Sequence, residues 1–300
     1  MAEITVIIPA YNAAKTIGQT IAGLKAQTVP VDIIVVDDGS VEPLRLEGVR
    51  VIRQVNQGPY TARLNGVSAS TTPYIGFVDA DDTVEPDMYE KMLSFAKTED
   101  LDVVQCDIVG QSVQRGNEVL KDQDEVLRRY VKPTLIKGES SAFVWNKLYR
   151  KATCFDGHVF SPSRILMFED LAINLQAFQR VSRMGLLHHG LYHYEVNSGS
   201  SVRNFKRKNV DDFKEAIRFR ELYAPGFGID VDDPVMKQWI SKNLRNYVIT
   251  ASCAPCRSWR ERMSNVRYIY ESIVGEVPAA LSLKVCAIRF AKSIQRLIRR

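Results

Sequence analysis

The chain has 300 residues, of which 45% are hydrophobic and 25% are charged, and its formal net charge is +5. These values are ordinary for a globular protein, and they exclude disordered, collagen-like and repeat-array classes. No window approaches the roughly 20 apolar residues of a membrane span, and residues 1–10 lack the pattern of a secretory signal. We therefore expect a cytoplasmic protein, either free or peripheral at the inner face of the membrane.

Strands and helices alternate in the first third of the chain. Short β-branched or aromatic runs between turn residues predict strands over 4–8, 32–36, 50–54, 74–78 and 101–107. Apolar residues at helical spacing predict helices over 13–27, 60–70 and 86–97. The alternation indicates an α/β fold whose open, mostly parallel sheet is flanked by helices. Ligands of such sheets bind beyond the carboxyl ends of the strands.

The rest of the chain divides into an irregular part and a helical part. Residues 109–202 mix short apolar pieces with polar turns and show no regular period. Beyond them, helical spacing between proline and glycine breaks predicts four helices, over 210–223, 234–253, 259–274 and 281–300. The five cysteines are an odd number, which fits a reducing compartment. Cys253 and Cys256 form one CxxC without a second pair nearby, so we expect a structural or incidental role rather than a zinc site.

Two acidic clusters directly follow predicted central strands. Asp37 and Asp38 come after the second strand, and the segment 79–82 (DADD) comes after the fourth. A single aspartate at such a place is equally well explained as a helix cap or a turn residue. Two clusters at equivalent strand ends should face one cleft, where repulsion between the carboxylates would raise each pKa. A divalent cation relieves this repulsion, and carboxylate and diphosphate oxygens are ligands that Mg²⁺ or Mn²⁺ prefers.

Seven sequence segments share an order and a spacing that carry a resemblance. They are VIIPAYN (6–12), VVDDGS (35–40), NQGPYTARLNG (56–66), FVDADD (77–82), WNKLYRK (145–151), FED (168–170) and YHYEVNSGSSVR (192–203). This set resembles the family 2 glycosyltransferases of bacterial polysaccharide type, over residues 1–205. The resemblance implies the GT-A nucleotide-diphospho-sugar transferase fold. It implies a catalytic domain with a nucleotide-binding half, 1–108, and an acceptor-binding half, 109–205, followed by a helical C-terminal extension, 206–300.

The resemblance also implies a reaction. A single sugar would move, with inversion, from a nucleotide diphosphate sugar, expected to be a UDP-sugar, to a hydroxyl of a saccharide or lipid-linked saccharide in cell-surface polysaccharide or glycolipid assembly. Such a displacement needs one general base, whereas a retaining hydrolase needs two carboxyl groups about 5 Å apart. Processive synthases of the same family usually carry membrane spans and a Gln-x-x-Arg-Trp segment, and this sequence has neither.

The roles that the resemblance implies can be assigned position by position. Asp170 would be the general base. Asp81 would hold the Mn²⁺ or Mg²⁺ ion that bridges the two phosphates, with His193 as a further candidate ligand. The implied donor-binding residues are Pro9, Ala10, Tyr11, Asp37, Asp38, Arg63, Asn65, Asp79, Lys147 and Arg203.

Each of these residues also has a plainer explanation. Tyr11 can be a core aromatic, Arg63 a solvated helix residue and His193 a structural histidine, and Asp170 can be a helix-start carboxylate. The alternative to a glycosyltransferase is a non-catalytic nucleotide-binding or scaffold protein of the same fold, since the fold alone does not determine the function. A nucleotidyltransferase would need a glycine-rich phosphate loop after the first strand, which PAYNAAKT (9–16) does not provide.

The last predicted helix is strongly basic. Residues 281–300 carry six lysines and arginines and no acid, and four of the basic residues share one helical face opposite an apolar one. This pattern is typical of a helix at the surface of an anionic membrane. An ordinary helix packed on the domain, or a contact in a homo-oligomer, explains it as well. Nucleic-acid binding is not expected, because no recognition module accompanies the charge.

Overall fold

The computed structural model describes residues 1–111, 115–138, 142–157, 167–195, 207–253, 258–274 and 288. In this part of the chain the strands are β1 (Ile4–Ala10), β2 (Val31–Asp37), β3 (Arg50–Arg53), β4 (Tyr74–Phe77), β5 (Thr83–Val84), β6 (Val103–Ile108), β7 (Glu118–Leu120), β8 (Lys147–Arg150) and β9 (Met184–His193). The α-helices are α1 (Ile17–Lys25), α2 (Pro59–Ala69), α3 (Met88–Thr98), α4 (Gln123–Val126), α5 (Lys151–Cys154), α6 (Glu169–Ala177), α7 (Arg207–Tyr223), α8 (Pro234–Cys253) and α9 (Trp259–Ile273). A π-helical segment, Leu127–Ile136, follows α4 directly.

All described strands belong to one sheet of order β3-β2-β1-β4-β8-β6-β9-β5, with β7 paired to β9. The part from β3 to β4 is parallel throughout, as the sequence predicts. Strand β1 lies between β2 and β4, and its run of β-branched residues is buried, as expected for an interior strand covered on both faces. The strand order reverses direction at β1, so the carboxyl ends of β1 and β4 border a switch point.

The second half of the sheet is mixed. Strand β8 is antiparallel to both β4 and β6, whereas β6 and β9 run parallel to each other. The sequence predicts neither β8 nor β9, although β9 has ten residues. Its sequence, MGLLHHGLYH, contains two glycines and three histidines, and its register to β6 shifts twice around Asp107. These irregularities remove the alternation by which a strand is recognised.

Helices cover both faces of the sheet. One hydrophobic core packs α2, α6 and the π-helical segment against one face, and a second core lies between the other face, α1 and α3. Helices α7 and α8 contribute Phe213, Phe219 and Trp239 to the first of these cores. The helical prediction for 210–223, 234–253 and 259–274 is confirmed.

Several predictions lie at the limits of what the structure describes. The predicted helix 281–300 and Cys256 fall outside the described residues, apart from residue 288. Among the helices that are described, none is long and apolar enough to cross a membrane. The division of the chain at residue 205 stays a prediction, and the shared core shows α7 and α8 packed on the sheet domain.

Gly66 makes the packing of α2 on β1 testable. A Cβ atom at Gly66 would lie 2.4 Å from Cγ2 of Ile7, so Gly66→Ala forces the helix away from the sheet. We expect this substitution to lower the free energy of unfolding by about 1–3 kcal/mol in urea denaturation. The matched control is Gly23→Ala in α1, where nothing lies within 4 Å of the added atom. The control should raise stability by about 0.5–1 kcal/mol, and equal effects at both positions would contradict this packing.

Candidate active site

The carboxyl ends of β1, β2 and β4 lie at one edge of the sheet, and we call the space beyond this edge the cleft. Tyr11 directly follows β1, and Asp38 directly follows β2. Asp79 follows β4 after one intervening residue. Because parallel neighbours end at the same edge of a sheet, the predicted convergence of the two acidic clusters is what the topology produces. Pro9 and Ala10 form the last part of β1, and the Tyr11 side chain beyond them is 54% exposed. An exposed ring at this point is accessible to a planar ligand.

Asp37 serves the local structure. It is fully buried, and its carboxylate accepts hydrogen bonds from the backbone N–H of Ser40 (2.9 Å) and Leu44 (3.2 Å). Arg53 on β3 donates to the same carboxylate at 2.6 Å. Burial by itself raises the pKa of Asp37, but these hydrogen bonds outweigh it and hold the pKa below its usual range. The side chain thereby fixes the turn that follows β2.

Asp38 organises a second loop. Its two carboxylate oxygens accept hydrogen bonds from the backbone N–H groups of Gln57 and Gly58, both at 2.8 Å. The Gln54 side-chain amide donates to it as well, and Asn65 on α2 donates to Gln54 at 2.6 Å. Asn65 thus links α2 to the segment that follows β3. The Asp38 carboxylate already accepts hydrogen bonds from Gln54, Gln57 and Gly58. A hydrogen bond from a nucleotide base would therefore be made in addition to these three.

Arg63 joins the two acidic regions of the cleft. Its guanidinium is 2% exposed and projects from α2 between the loop after β4 and the start of α6. Nη2 lies 2.7 Å from Asp79, and Nη1 lies 3.3 Å from both Glu169 and Asp170. Burial alone would lower the pKa of Arg63, but the three carboxylates raise it, so the residue stays charged. The loop predicted to hold the metal and the predicted base therefore both contact one side chain.

The acidic loop after β4 is fixed by Tyr192 of β9. The buried Tyr192 hydroxyl donates to Asp82 at 2.7 Å and accepts from the backbone N–H of Asp79 at 3.2 Å. Asp82 is 1% exposed, and burial raises its pKa to about 7, helped by the neighbouring Asp79 and Asp81. Asp81 is exposed, and the Asp79 side chain is 30% exposed. The loop therefore presents Asp81, and part of Asp79, to the cleft.

These carboxylates suit a hard divalent cation. No group of three or more His, Cys, Asp or Glu side chains within the described part of the chain converges as a complete metal site. A Mg²⁺-type ion commonly takes only one or two carboxylates from the protein and the rest of its ligands from phosphates and water. Asp81 fits that donor set. His193 Nε2 lies instead 2.7 Å from Glu85 Oε1, so the ring faces Glu85.

The start of α6 carries the candidate base. Asp170 and Glu169 are 17% and 19% exposed, and both lie in the first turn of the helix. Burial raises the pKa of both carboxyls, and the Arg63 guanidinium opposes this rise. The residue before them, Phe168, has a left-handed backbone with φ of +67°, which a non-glycine residue adopts only under local strain. Such strain is frequent at functional sites.

Lys147 is a buried residue whose charge interacts with that of Asp170. The side chain is fully buried. Its ammonium group donates to the carbonyl oxygen of Phe143, and it also donates to Asn146 Oδ1 at 3.0 Å. Burial lowers the pKa of Lys147 to about 7, opposed by the negative charge of Asp170. In this position the ammonium group is not accessible to a donor phosphate, the contact expected from the sequence. Its charge acts on the Asp170 carboxylate instead.

Sequence reasoning missed three contributors to the site. Glu169 shares Arg63 with Asp170, and Gln54 links Asp38 to α2. Tyr192 holds the acidic loop from a strand that the sequence did not predict. The acidity of the FED segment was the available signal for Glu169, whereas the other two depend on long-range contacts. Arg203, a predicted donor-binding residue, lies outside the described residues.

Comparison with known proteins identifies the family. A family model described as Glycosyl transferase family 2 matches residues 5–175, which is more than half of the chain. The chain belongs to glycosyltransferase family 2. This glycosyltransferase is 33% identical over 288 residues to the uncharacterized glycosyltransferase EpsJ of Bacillus subtilis (strain 168), covering 89% of this chain and 83% of that protein. It is 37% identical over 245 residues to the uncharacterized glycosyltransferase YibD of Escherichia coli (strain K12), covering 73% and 70%.

Solved structures of the same fold are also similar. S. aureus TarS 1-349 in complex with UDP-GlcNAc matches with a TM-score of 0.65 at 17% identity, covering 98% of this chain and 88% of that chain. The same protein in complex with UDP matches with a TM-score of 0.61, covering 96% and 87%. At this level of identity the likeness shows the shared fold alone. The predicted GT-A glycosyltransferase fold is thereby confirmed.

Arg63 should dominate the stability of this glycosyltransferase. Arg63→Met leaves three carboxylates without their shared cation, so we expect unfolding to become easier by about 3–5 kcal/mol at pH 8. A carboxyl whose pKa is higher in the folded than in the unfolded state destabilises the fold above both values, and this cost vanishes below the unfolded value. Removing the guanidinium raises the pKa values of Glu169 and Asp170 in the folded state further. The loss of unfolding free energy in Arg63→Met, measured by urea denaturation, should therefore be smaller at pH 5 than at pH 8. An equal loss at both pH values would contradict the electrostatic role of Arg63.

Proposed function

We propose that this protein is a metal-dependent, inverting glycosyltransferase that moves one sugar from a UDP-sugar to an acceptor hydroxyl. The observation that carries the proposal is the position of Arg63 between Asp79 and Asp170. Displacement at an anomeric carbon needs charge stabilisation on the departing diphosphate and a base on the other side of the sugar. Arg63 contacts both the acidic, cation-suited loop and the candidate base, so it brings together the two groups that this reaction requires.

The donor would lie along the ends of β1, β2 and β4. The exposed Tyr11 ring, with Pro9 and Ala10 behind it, offers a face on which a base stacks. Asp38 and the loop that it holds offer polar groups at the edge of that base. The choice of UDP is supported by the TarS structures, which contain UDP-GlcNAc and UDP. Arg203 is retained as a proposed phosphate contact.

Asp170 is the proposed general base. As the acceptor oxygen attacks the anomeric carbon, an oxygen of the Asp170 carboxylate takes the hydroxyl proton, and the bond to the diphosphate breaks on the opposite face. The raised pKa makes this carboxylate a stronger base than an exposed one, while Arg63 and Lys147 favour its ionised form. Each turnover therefore leaves a glycoside of inverted configuration, free UDP and a proton on Asp170.

Asp81 is the proposed protein ligand of Mn²⁺ or Mg²⁺, with Asp79 at its side. A bound dication would neutralise the negative charge that builds on the diphosphate as it departs. Asp79 keeps its ion pair with Arg63, so the chain itself holds the acidic loop in place. The contact of the His193 ring with Glu85 gives no support to a role of His193 as a metal ligand.

The acceptor is proposed to be a saccharide or a lipid-linked saccharide, used in cell-surface polysaccharide or glycolipid assembly. The basic and apolar faces predicted for residues 281–300 support a peripheral position at the cytoplasmic face of the membrane, where lipid-linked acceptors lie.

Asp170→Asn is the test of the base. We expect kcat to fall by about 10²- to 10⁴-fold, because the amide accepts no proton, while the Kd for UDP changes little. Released UDP is measured from a panel of UDP-sugars with Mn²⁺ and candidate acceptors, and UDP binding by calorimetry. Asp100→Asn, an exposed carboxylate paired with Arg150 outside the cleft, is the matched control. Normal turnover of Asp170→Asn would show that the base is another residue, and binding without any turnover by the wild type would favour a non-catalytic protein.

Asp81→Asn is the test of the cation. In the wild type, Mn²⁺ should strengthen UDP binding relative to EDTA, since the ion bridges carboxylate and diphosphate. In Asp81→Asn the affinity for UDP in Mn²⁺ should fall to the value measured in EDTA. The control is Asp87→Asn, which removes the same charge from an exposed site next to α3. A wild-type affinity that is equal in Mn²⁺ and EDTA would argue against metal dependence.

A further inference from the structure

The C-terminal helices reach Phe168, the residue that precedes Glu169 and Asp170. The Phe168 ring lies 6.0 Å from the ring of Phe213 on α7 and 6.0 Å from the ring of Trp239 on α8, centroid to centroid. Phe213 and Trp239 pack against each other at 5.3 Å, and both are buried. The left-handed backbone of Phe168 persists only where its surroundings enforce it. These two rings form part of those surroundings.

A second connection runs through buried hydrogen bonds. The Tyr223 hydroxyl at the end of α7 donates to Gln176 Oε1 at 2.8 Å, and Gln176 Nε2 donates to the Tyr60 hydroxyl at 2.8 Å. Gln176 lies on α6, the helix whose first turn contains Asp170, and Tyr60 lies on α2, one turn before Arg63. Phe219 of α7 also packs on Tyr60, at 5.9 Å between centroids. The helices that carry the base and the arginine are thus tied together through α7.

The same helices hold the end of the π-helical segment. The Arg220 guanidinium lies 3.3 Å from the centroid of the Trp239 ring, and its Nε donates to the carbonyl oxygen of Ile136 at 3.3 Å. Gly138 has a φ of +62°, and a Cβ there would lie 2.7 Å from the Trp239 ring. The Trp239 ring is therefore packed between Arg220, Gly138 and Phe168, which leaves it little freedom to move.

We propose that α7 and α8 are a positioning part of the active site, a helical clamp formed by Phe213, Tyr223 and Trp239 that sets the place of Asp170 relative to Arg63. The inference rests on the proposed function, because it takes Asp170 as the base. Phe213 and Trp239 fix the backbone at Phe168, and Tyr223 fixes the side of α6 that faces α2. The clamp residues act through these contacts, so their loss should reduce the chemical step and spare the nucleotide pocket at the ends of β1 and β2.

The test compares clamp variants with matched variants outside the clamp in the full-length protein. Phe213→Leu and Tyr223→Phe are the clamp variants. Phe227→Leu removes a ring from the same core, and Tyr268→Phe removes a hydroxyl that donates to Asp211 at the surface of α7. For each protein, kcat is measured as UDP release well below its unfolding temperature, and the Kd for UDP and the melting temperature are measured alongside.

We expect Phe213→Leu to lower kcat tenfold or more and Tyr223→Phe to lower it several-fold, with the Kd for UDP within twofold of the wild type. Phe227→Leu and Tyr268→Phe should keep kcat within twofold, even where Phe227→Leu lowers the melting temperature as much as Phe213→Leu. If Phe213→Leu does not fold, Tyr223→Phe against Tyr268→Phe decides the comparison.

Two outcomes would overturn the clamp: clamp variants that keep the kcat of their controls, or a loss of UDP affinity that parallels the loss of kcat. Failure of the proposed function looks different, because the wild type itself would then release no UDP from any donor. In that case the clamp proposal falls with it.

Discussion

A single buried guanidinium holds the two sides of the cleft together. Arg63 extends from a helix of the parallel half of the sheet and meets Asp79 on one side and the first turn of α6 on the other. Three carboxylates around one cation in a region of low dielectric leave an excess of negative charge. Burial is the main reason for the raised pKa values of Glu169 and Asp170, and this excess of negative charge adds to it. It also means that an anionic diphosphate entering this cleft needs a further positive charge to accompany it.

The elements that frame the cleft could be predicted from the sequence because their signals are local. The β-branched run of β1, the similar run of β2 and the helical spacing of α1 each need only neighbouring residues to be recognised. Once parallel strands are predicted, the topology places Asp38 and Asp79 at one edge. The same logic failed for β9, since its glycines and its shifted register against β6 break the period.

Side-chain partners could not be predicted, because a long side chain selects among neighbours that only the tertiary structure supplies. Arg63 was expected to approach a donor, and it lies in ion pairs with three carboxylates. Lys147 was expected at a phosphate or an acceptor, and its ammonium group is buried among backbone and amide oxygens. His193 was a candidate metal ligand, and its ring contacts the Glu85 side chain. Glu85 lies two positions after Thr83, the residue opposite His193 in the sheet. Tyr11 and Asp81 are exposed, and their roles stay predictions.

The loop that carries Asp81 is short and tethered at both ends. It spans residues 78–82 between β4 and β5, and Val78 donates its N–H to the carbonyl oxygen of Ile7 at 3.2 Å. At the far end, the carbonyl oxygen of Asp82 accepts from the Thr20 hydroxyl at 2.8 Å, and its carboxylate accepts from Tyr192. A segment of this length with both ends anchored has few conformations left to lose. A cation bound at Asp81, as proposed above, would therefore meet a preorganised ligand, and the loop would lose little conformational entropy on binding it.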